Sequence, residues 1–168
     1  MKKRTSDKSR YKQKRGEGRL GKYIPWILVH EISSRGLSSR ILGKKTKRIH
    51  HLLSTLEKRV FLLLDKDDSV LDIREQYPLP LNETIQIAFE KNIRHGSDDG
   101  EPMTMTTDFL VDLSNRLVAI NVKPSQKYSR RTIEKFEIEK TYWEGRGIEW
   151  IPLTEKEIDQ MEKGFRIF

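Results

Sequence analysis

The chain has 168 residues and no cysteine, which excludes disulfides, thiolate zinc sites and cysteine nucleophiles. It also lacks a long apolar run and a leader of the secretory type, so neither a membrane span nor export is expected. Its four histidines have no zinc-protease spacing, and His50-His51 reads as packing or phosphate contact rather than ligation. What these absences leave is one soluble intracellular domain with appendages, long enough to bury a real core.

Acidic residues are scarce at one end only. Residues 1–22 hold ten Lys/Arg against Asp7 and Glu17, so this segment alone accounts for the net charge of +8, and the remainder balances 23 basic against 23 acidic residues. A basic, glycine-containing stretch with Tyr11 interleaved suits a phosphate backbone, where each neutralised phosphate releases counterions. Lys12, Lys14, Arg15, Arg19 and Lys22 are the expected contacts. A second cluster, Lys44, Lys45, Lys47 and Arg48, adds to them. Residues 1–22 therefore read as a flexible basic arm, and removal of residues 2–15 is expected to weaken DNA binding while leaving the fold intact. The alternative for residues 1–10 is a disordered, solubilising tail. A membrane surface fits poorly, because the arm has almost no apolar face.

Residues 23–168 carry the structured elements, with a strand-rich lead-in over 23–50 and a core over 51–155. Two short strands are expected over 24–42, around Ser33–Ser39. The run from Leu52 to Leu64 predicts a helix, Val70–Tyr77 a strand, 82–92 a short helix and 94–102 a loop. Alternating polar and apolar residues in Thr106–Asp112 and Leu117–Pro124, joined through Leu113-Ser114-Asn115-Arg116, predict paired strands. A charged amphipathic helix from about Thr132 to Glu144, stopped by Gly145 and Gly147, leads to a strand over Ile148–Leu153 and a last helix from Thr154. A strand–helix–strand crossover at 117–153 implies an α/β fold with a partly parallel, mixed β-sheet flanked by helices.

If Ser114-Asn115 form a two-residue turn, Asp108 falls opposite Asn121, and the period of two puts Asp108, Asn121 and Lys123 on one face. A hydrolase acting on phosphodiesters needs a divalent ion to activate water and neutralise growing charge. Magnesium accepts one or two carboxylates with carbonyl oxygens and water. Asp108 offers a carboxylate, Asn121 an amide oxygen and Val122 a backbone carbonyl, while Lys123 can orient the nucleophile or stabilise the phosphate. The ordinary reading makes these a strand-end cap, a polar solvent face and an edge lysine. Against it, Asn121 follows Val118-Ala119-Ile120 in a run that reads as buried, where polar groups need partners. Glu57 has two readings. Ser54-Thr55-Leu56-Glu57 is a capping-box pattern, yet Glu57 shares the apolar stripe of Val60, Phe61 and Leu64, and a metal held by Asp108 would satisfy it there; the ligand role is favoured.

Two phosphate-loop lookalikes fail on context. Gly16-Glu17-Gly18-Arg19-Leu20-Gly21 matches a dinucleotide fingerprint and, with Lys22, nearly a Walker A loop. Neither has the preceding strand that the motif requires, and Tyr23 replaces the Ser/Thr of the second.

The element order, with Glu57 on a helix, Asp108 on a strand and Lys123 ending the next, resembles the restriction-endonuclease-like, or PD-(D/E)xK, nuclease fold. Closer still, Tyr23-Ile24-Pro25-Trp26, His50–Ser54 with Leu56-Glu57, Ser69–Gln76, Thr107–Asp112, Val122-Lys123-Pro124 and Tyr142-Trp143 are similar to the TnsA endonuclease subunits of Tn7-like heteromeric transposases. That resemblance implies Glu57, Asp108 and Lys123 as catalytic residues, and Glu57, Asp108, Asn121 and Val122 as ligands of Mg²⁺, with Mn²⁺ as a substitute. The wider fold has Asp or Glu, and TnsA glutamine, where this chain has Asn121. The same resemblance implies Glu139, on the following helix, as a support for Lys123.

The activity so implied is hydrolytic cleavage of the non-transferred strand at the 5′ ends of the transposon, in double-stranded DNA in the bacterial cytoplasm and nucleoid. The implied partners are a TnsB-like transposase that cuts and joins the 3′ ends and a TnsC-like AAA+ ATPase regulator. The usual C-terminal domain of the family is not expected, because the chain stops soon after the core. Two alternatives remain: a catalytically weakened DNA-binding or assembly subunit of the same complex, and a standalone nuclease of repair or restriction type.

Overall fold

Alternating apolar residues in three central segments build the middle of a sheet whose two faces both need covering. The protein was analysed as a computed structural model that describes residues 5–32, 37–98 and 100–166. Its elements in chain order are α1 (Asp7–Lys12), β1 (Ser39–Leu42), β2 (Ile49–Leu52), α2 (Thr55–Leu64), β3 (Val70–Pro78) and α3 (Leu81–Glu90). A two-residue pair follows, β4 (Ser97–Asp98) and β5 (Glu101–Pro102). Then come β6 (Thr106–Leu113), β7 (Leu117–Val122), α4 (Arg130–Glu144), β8 (Glu149–Leu153) and α5 (Glu155–Glu162). Among the described residues, no helix is long and apolar enough to cross a membrane.

The main sheet runs β3-β6-β7-β8. The first three strands are antiparallel to their neighbours, and β8 lies parallel to β7 after the α4 crossover, giving the mixed sheet flanked by helices that the pattern predicts. On one face Val60, Phe61 and Leu64 of α2 and Ile158 of α5 pack against Ile73, Phe109, Val111, Val118 and Ile120. On the other, Tyr142 and Trp143 of α4 cover Leu110 and Ala119. Each large apolar side chain so buried contributes about 1.5–3 kcal/mol. The turn between β6 and β7 closes with the Leu113 N–H on the Arg116 carbonyl at 2.8 Å, which fixes the register.

Helix boundaries follow local chemistry. Leu52 belongs to β2, paired with Ser39, so α2 starts at Thr55 rather than at Leu52. Ser54 caps it, accepting the Glu57 N–H at 3.1 Å. Ser129 caps α4 in the same way, which begins that helix two residues earlier than expected. The expected strand at 24–30 does not form. Pro25 offers no N–H to a ladder, the Trp26 N–H is taken by the Gln76 carbonyl at 3.1 Å, and Val29–Glu31 coil into a single 3₁₀ turn. Part of the turn expected around Ser33–Ser39 lies outside the described residues.

The largest departure concerns the basic N terminus. Residues 1–4 lie outside the described residues, but from residue 5 onward the segment is folded onto the domain rather than forming a flexible arm. Ser6 caps α1; the Asp7 carboxylate accepts the Thr104 N–H at 2.9 Å. Arg10 and Arg15 are 2% and 5% exposed. Arg15 forks onto Glu31 at 2.6 and 3.0 Å and also donates to the Trp26 carbonyl. Burial alone would raise the Glu31 carboxyl; the Arg15 hydrogen bonds outweigh it and hold the group at about 2. Gly16, at φ +81°, sits so close to Pro78 that a Cβ would lie 2.2 Å from its ring. The glycines of this stretch therefore serve chain packing, and loss of residues 2–15 would strip the buried Glu31 of Arg10 and Arg15, a cost to the fold that a flexible arm would not carry.

Arg48 is likewise structural. It forks onto the fully buried Glu75 at 2.8 and 2.6 Å and stacks over Tyr23. His50 and the His51 N–H complete the set around Glu75 at 2.7 and 2.9 Å, so His50 acts in packing. Burial would raise the Glu75 carboxyl, but bonds from Arg48 and His50 hold it at about 2, against 4.5 when free. Its folded value is depressed, so its contribution is complete above the unfolded value and is lost as pH falls from about 4.5 to about 2. Replacing Glu75 by Gln is expected to destabilise the protein by about 3 kcal/mol at neutral pH and to flatten the fall in stability between those limits. Urea melts across pH check this; an unchanged acid limb refutes it.

Candidate active site

Register brings three polar side chains into one row. The β6–β7 pairing runs Phe109 to Ile120 and Asp112 to Leu117, and the same register sets Asp108 opposite Asn121. On the other side, β3 pairs Glu75 with Phe109 and Tyr77 with Thr107, which sets Gln76 opposite Asp108. Gln76, Asp108 and Asn121 thus cross three adjacent strands. Glu57 reaches the row from the first turn of α2. A cavity of about 330 Å³ is lined by Glu57, Asp108, Asn121, Val122, Lys123 and Glu139 together with Arg131, Thr132, Lys135 and Phe136 of α4 and the 103–106 segment.

Gln76 organises the two carboxylates, and sequence reading did not single it out. Its amide nitrogen donates to Glu57 Oε2 at 3.2 Å and reaches Asp108 Oδ1 at 3.5 Å, while its oxygen accepts from the Thr106 hydroxyl at 3.3 Å. Its backbone is left-handed, at φ +48°, a conformation that costs a non-glycine residue free energy and tends to persist at functional sites. The available signal was register: extending the hairpin argument to β3 would have set position 76 opposite Asp108.

The contacts of Glu57 bear out its capping role and leave it facing the cavity. Its carboxylate accepts the Leu53 N–H at 2.9 Å and the Ser54 hydroxyl at 3.0 Å, which is the helix-capping role, one residue earlier along the backbone than the standard box. Oε2 also accepts the Gln76 amide, so Oε1 is the oxygen that keeps a lone pair, and Glu57 lies within electrostatic reach of Asp108. Burial first, and then the Asp108 charge, push the Glu57 carboxyl upward. Burial also raises Asp108, opposed by the Val122 N–H on Oδ2 at 2.7 Å and by the Lys123 ammonium. Val122 thus engages Asp108 through its N–H. Glu139 is 3% exposed, and burial followed by the Asp108 charge raises it to about 8. Its Oε2 accepts the Asn121 amide N–H at 2.9 Å.

That last bond orients Asn121 and leaves Oδ1 buried without a hydrogen-bond partner. A buried carbonyl oxygen left bare costs about 1–3 kcal/mol, and beside two repelling carboxylates it is the donor set a hard cation takes. Among the described residues, no three His, Cys, Asp or Glu side chains form a metal-binding group; the cluster instead combines two carboxylates with amide oxygen. These residues fit a divalent cation. With Lys123 in the same lining, the arrangement can bind an anionic group against a cation.

The expected nucleic-acid contacts are scattered. Arg15 and Arg48 are buried in ion pairs, as described above, so neither is free for DNA. Arg19 is exposed but pairs with Asp112 and Asp72. Lys44 and Lys45 donate backbone N–H groups to Asp65. The side chains of Lys12, Lys14, Lys22, Lys44 and Lys47 belong to exposed residues, and none of the nine lines the cavity.

Compared with known proteins, residues 67–155 match the family described as TnsA-like endonuclease N terminal, a span that includes Gln76, Asp108, Asn121, Lys123 and Glu139. The chain is also 47% identical over 158 residues to the Transposon Tn7 transposition protein TnsA of Escherichia coli. That alignment covers 92% of this chain and 58% of the relative.

Two carboxylates held close without a cation resist ionising together. Replacing Asp108 by Asn is therefore expected to raise the melting temperature in chelator, by about 2–4 °C for each kcal/mol relieved. Mg²⁺ should then raise the melting temperature of the wild type and not of the variant. A lower melting temperature for Asp108→Asn in chelator, or an equal response to Mg²⁺, refutes the cluster as a charge-strained cation site.

Proposed function

We propose that this chain, which belongs to the TnsA-like endonuclease family, is the DNA-cutting subunit of a Tn7-like cut-and-paste transposase. In this reading it hydrolyses the non-transferred strand at the 5′ ends of the element. It works beside a TnsB-like transposase and under a TnsC-like ATPase regulator. The chain spans 58% of the length of its transposition relative, so residues 23–168 are read as the endonuclease domain. The observation that carries the proposal is the convergence of Glu57, Asp108, Asn121 and Lys123 on one cavity.

Glu57, Asp108 and the Asn121 amide oxygen would hold Mg²⁺, with Mn²⁺ as a substitute. The bound ion would lower the pKa of an attacking water and offset charge on the scissile phosphate. The protein's own groups then have separate tasks. Gln76 holds the two carboxylates at a fixed spacing with a neutral donor. Glu139, protonated near neutral pH by its raised pKa, fixes the Asn121 amide without adding charge. Lys123 brings an ammonium to the phosphate, where it stabilises the negative charge that grows as the P–O bond breaks. Its flexibility is limited at the backbone, because its N–H is bound to the Leu153 carbonyl at 2.9 Å and Pro124 follows.

Asn121 favours one other reading, a DNA-binding assembly subunit with weakened catalysis, because an amide attracts a cation less than a carboxylate does. Reconstitution with the partner transposase on a duplex carrying a transposon end separates the two. Wild type should nick the 5′ end in Mg²⁺ or Mn²⁺, Asp108→Ala should lose at least about a hundredfold in rate, and Lys123→Ala should lose cutting while still binding DNA. Equal cutting by Asp108→Ala and wild type removes the catalytic assignment. Cutting without the partner would point to a standalone nuclease.

A further inference from the structure

The cavity has a positive rim, of which the proposed chemistry uses only Lys123. The first two turns of α4 contribute Arg131, Thr132 and Lys135 to its lining, and the end of β7 adds Lys123. Glu134, next to Lys135 in sequence, is spent on Arg130 and Arg131 at 3.2 Å each. Arg131 is further held by the Arg94 and His95 carbonyls. Among the described residues Lys135 has no ion-pair partner. Burial, then Arg131 and Lys123, depress its pKa, as expected for a cation crowded by other cations.

Of these cations Arg131 pairs with Glu134 and Lys123 faces Asp108, which leaves Lys135 to meet an entering anion. The lining also includes Thr104, whose buried hydroxyl has no hydrogen-bond partner and can act as a neutral donor. Lys135 lies one helical turn, about 6 Å, before Glu139. Glu139 is buried on Asn121, whereas Lys135 is exposed. Its ammonium therefore stands nearer the mouth than the carboxylate cluster does.

We propose that Lys135, supported by Arg131, forms a second phosphate subsite that holds the DNA phosphate next to the one cut at Asp108 and Lys123. This rests on the endonuclease reading above. Lys135 on this account is a substrate-binding residue that sets the register of the strand, and its loss is felt in binding more than in chemistry.

The test uses the reconstituted reaction and, separately, duplex binding by the chain alone. Lys135→Ala should raise KM about tenfold with kcat unchanged, lower the salt slope of duplex binding by about one, and leave the melting temperature where it was. Lys135→Arg should restore KM. In wild type, a single neutral methylphosphonate at the phosphate flanking the cut should reproduce the tenfold loss, and in Lys135→Ala it should cost nothing more. Losses that add in full, an unchanged KM and salt slope, or a loss confined to kcat would each overturn the subsite. Failure of the nuclease reading looks different: Asp108→Ala would cut like wild type, while the salt slope of duplex binding would still report on Lys135.

Discussion

Strand register is the constraint on which the site depends. Side chains alternate faces, so a slip of one residue between β3, β6 and β7 would send Asp108 and Asn121 to opposite sides of the sheet. Two devices hold the register. The tight turn at Ser114-Asn115 locks β6 to β7, and the buried Glu75, bound by Arg48 and His50, ties β3 to the β1–β2 hairpin. Glu75 and Gln76 are consecutive and both buried. One anchors the strand and the other serves the cavity, and the left-handed turn of the Gln76 backbone lets its carbonyl meet the Trp26 N–H. The N-terminal segment thereby braces the strand at the residue that bridges the two carboxylates.

The electrostatics of the cluster run against stability. Glu57, Asp108 and Glu139 are drawn together in a setting where each raises the cost of ionising another. Neutral amides separate them: Gln76 stands between Glu57 and Asp108, and Asn121 between Asp108 and Glu139. An amide in place of a carboxylate at position 121 lowers the total negative charge in the unfilled site while keeping an oxygen for a ligand. If the site holds a cation, the same substitution weakens the pull on it, and activity and stability would then trade against each other at this one side chain.

Local pattern made much of this legible. The β6–β7 hairpin and its register, the α4 crossover and the parallel β8 follow from period, turn and cap signals, and so does the convergence of Asp108, Asn121 and Lys123. Gln76 was not legible from the hairpin alone, because it arrives on a strand paired over a long sequence separation and through a backbone conformation that its residue type does not announce. Residues 24–30 looked like a strand by composition, yet their backbone groups are met by Arg15 and by Gln76. The basic N terminus misled for a related reason: charge counts do not reveal pairing partners. Arg10 and Arg15 meet Glu31, a residue whose charge in the sequence appears to belong to the balanced remainder.

That internal use of charge changes where a polyanion can sit. With Arg10, Arg15, Arg19 and Arg48 committed to Glu31, Glu75, Asp72 or Asp112, the formal +8 overstates the field of the N-terminal segment as a contact surface. Arginine is suited to these buried roles because its planar fork matches a carboxylate. The lysines left exposed on that segment and on the β1–β2 turn supply a diffuse attraction that salt screens readily. Cations beside a part-buried cavity are screened less and act at shorter range. On the proposed nuclease reading, capture and placement of DNA would be separate tasks on this surface, with scattered lysines drawing in the duplex and the crowded rim of α4 setting which phosphate faces Asp108.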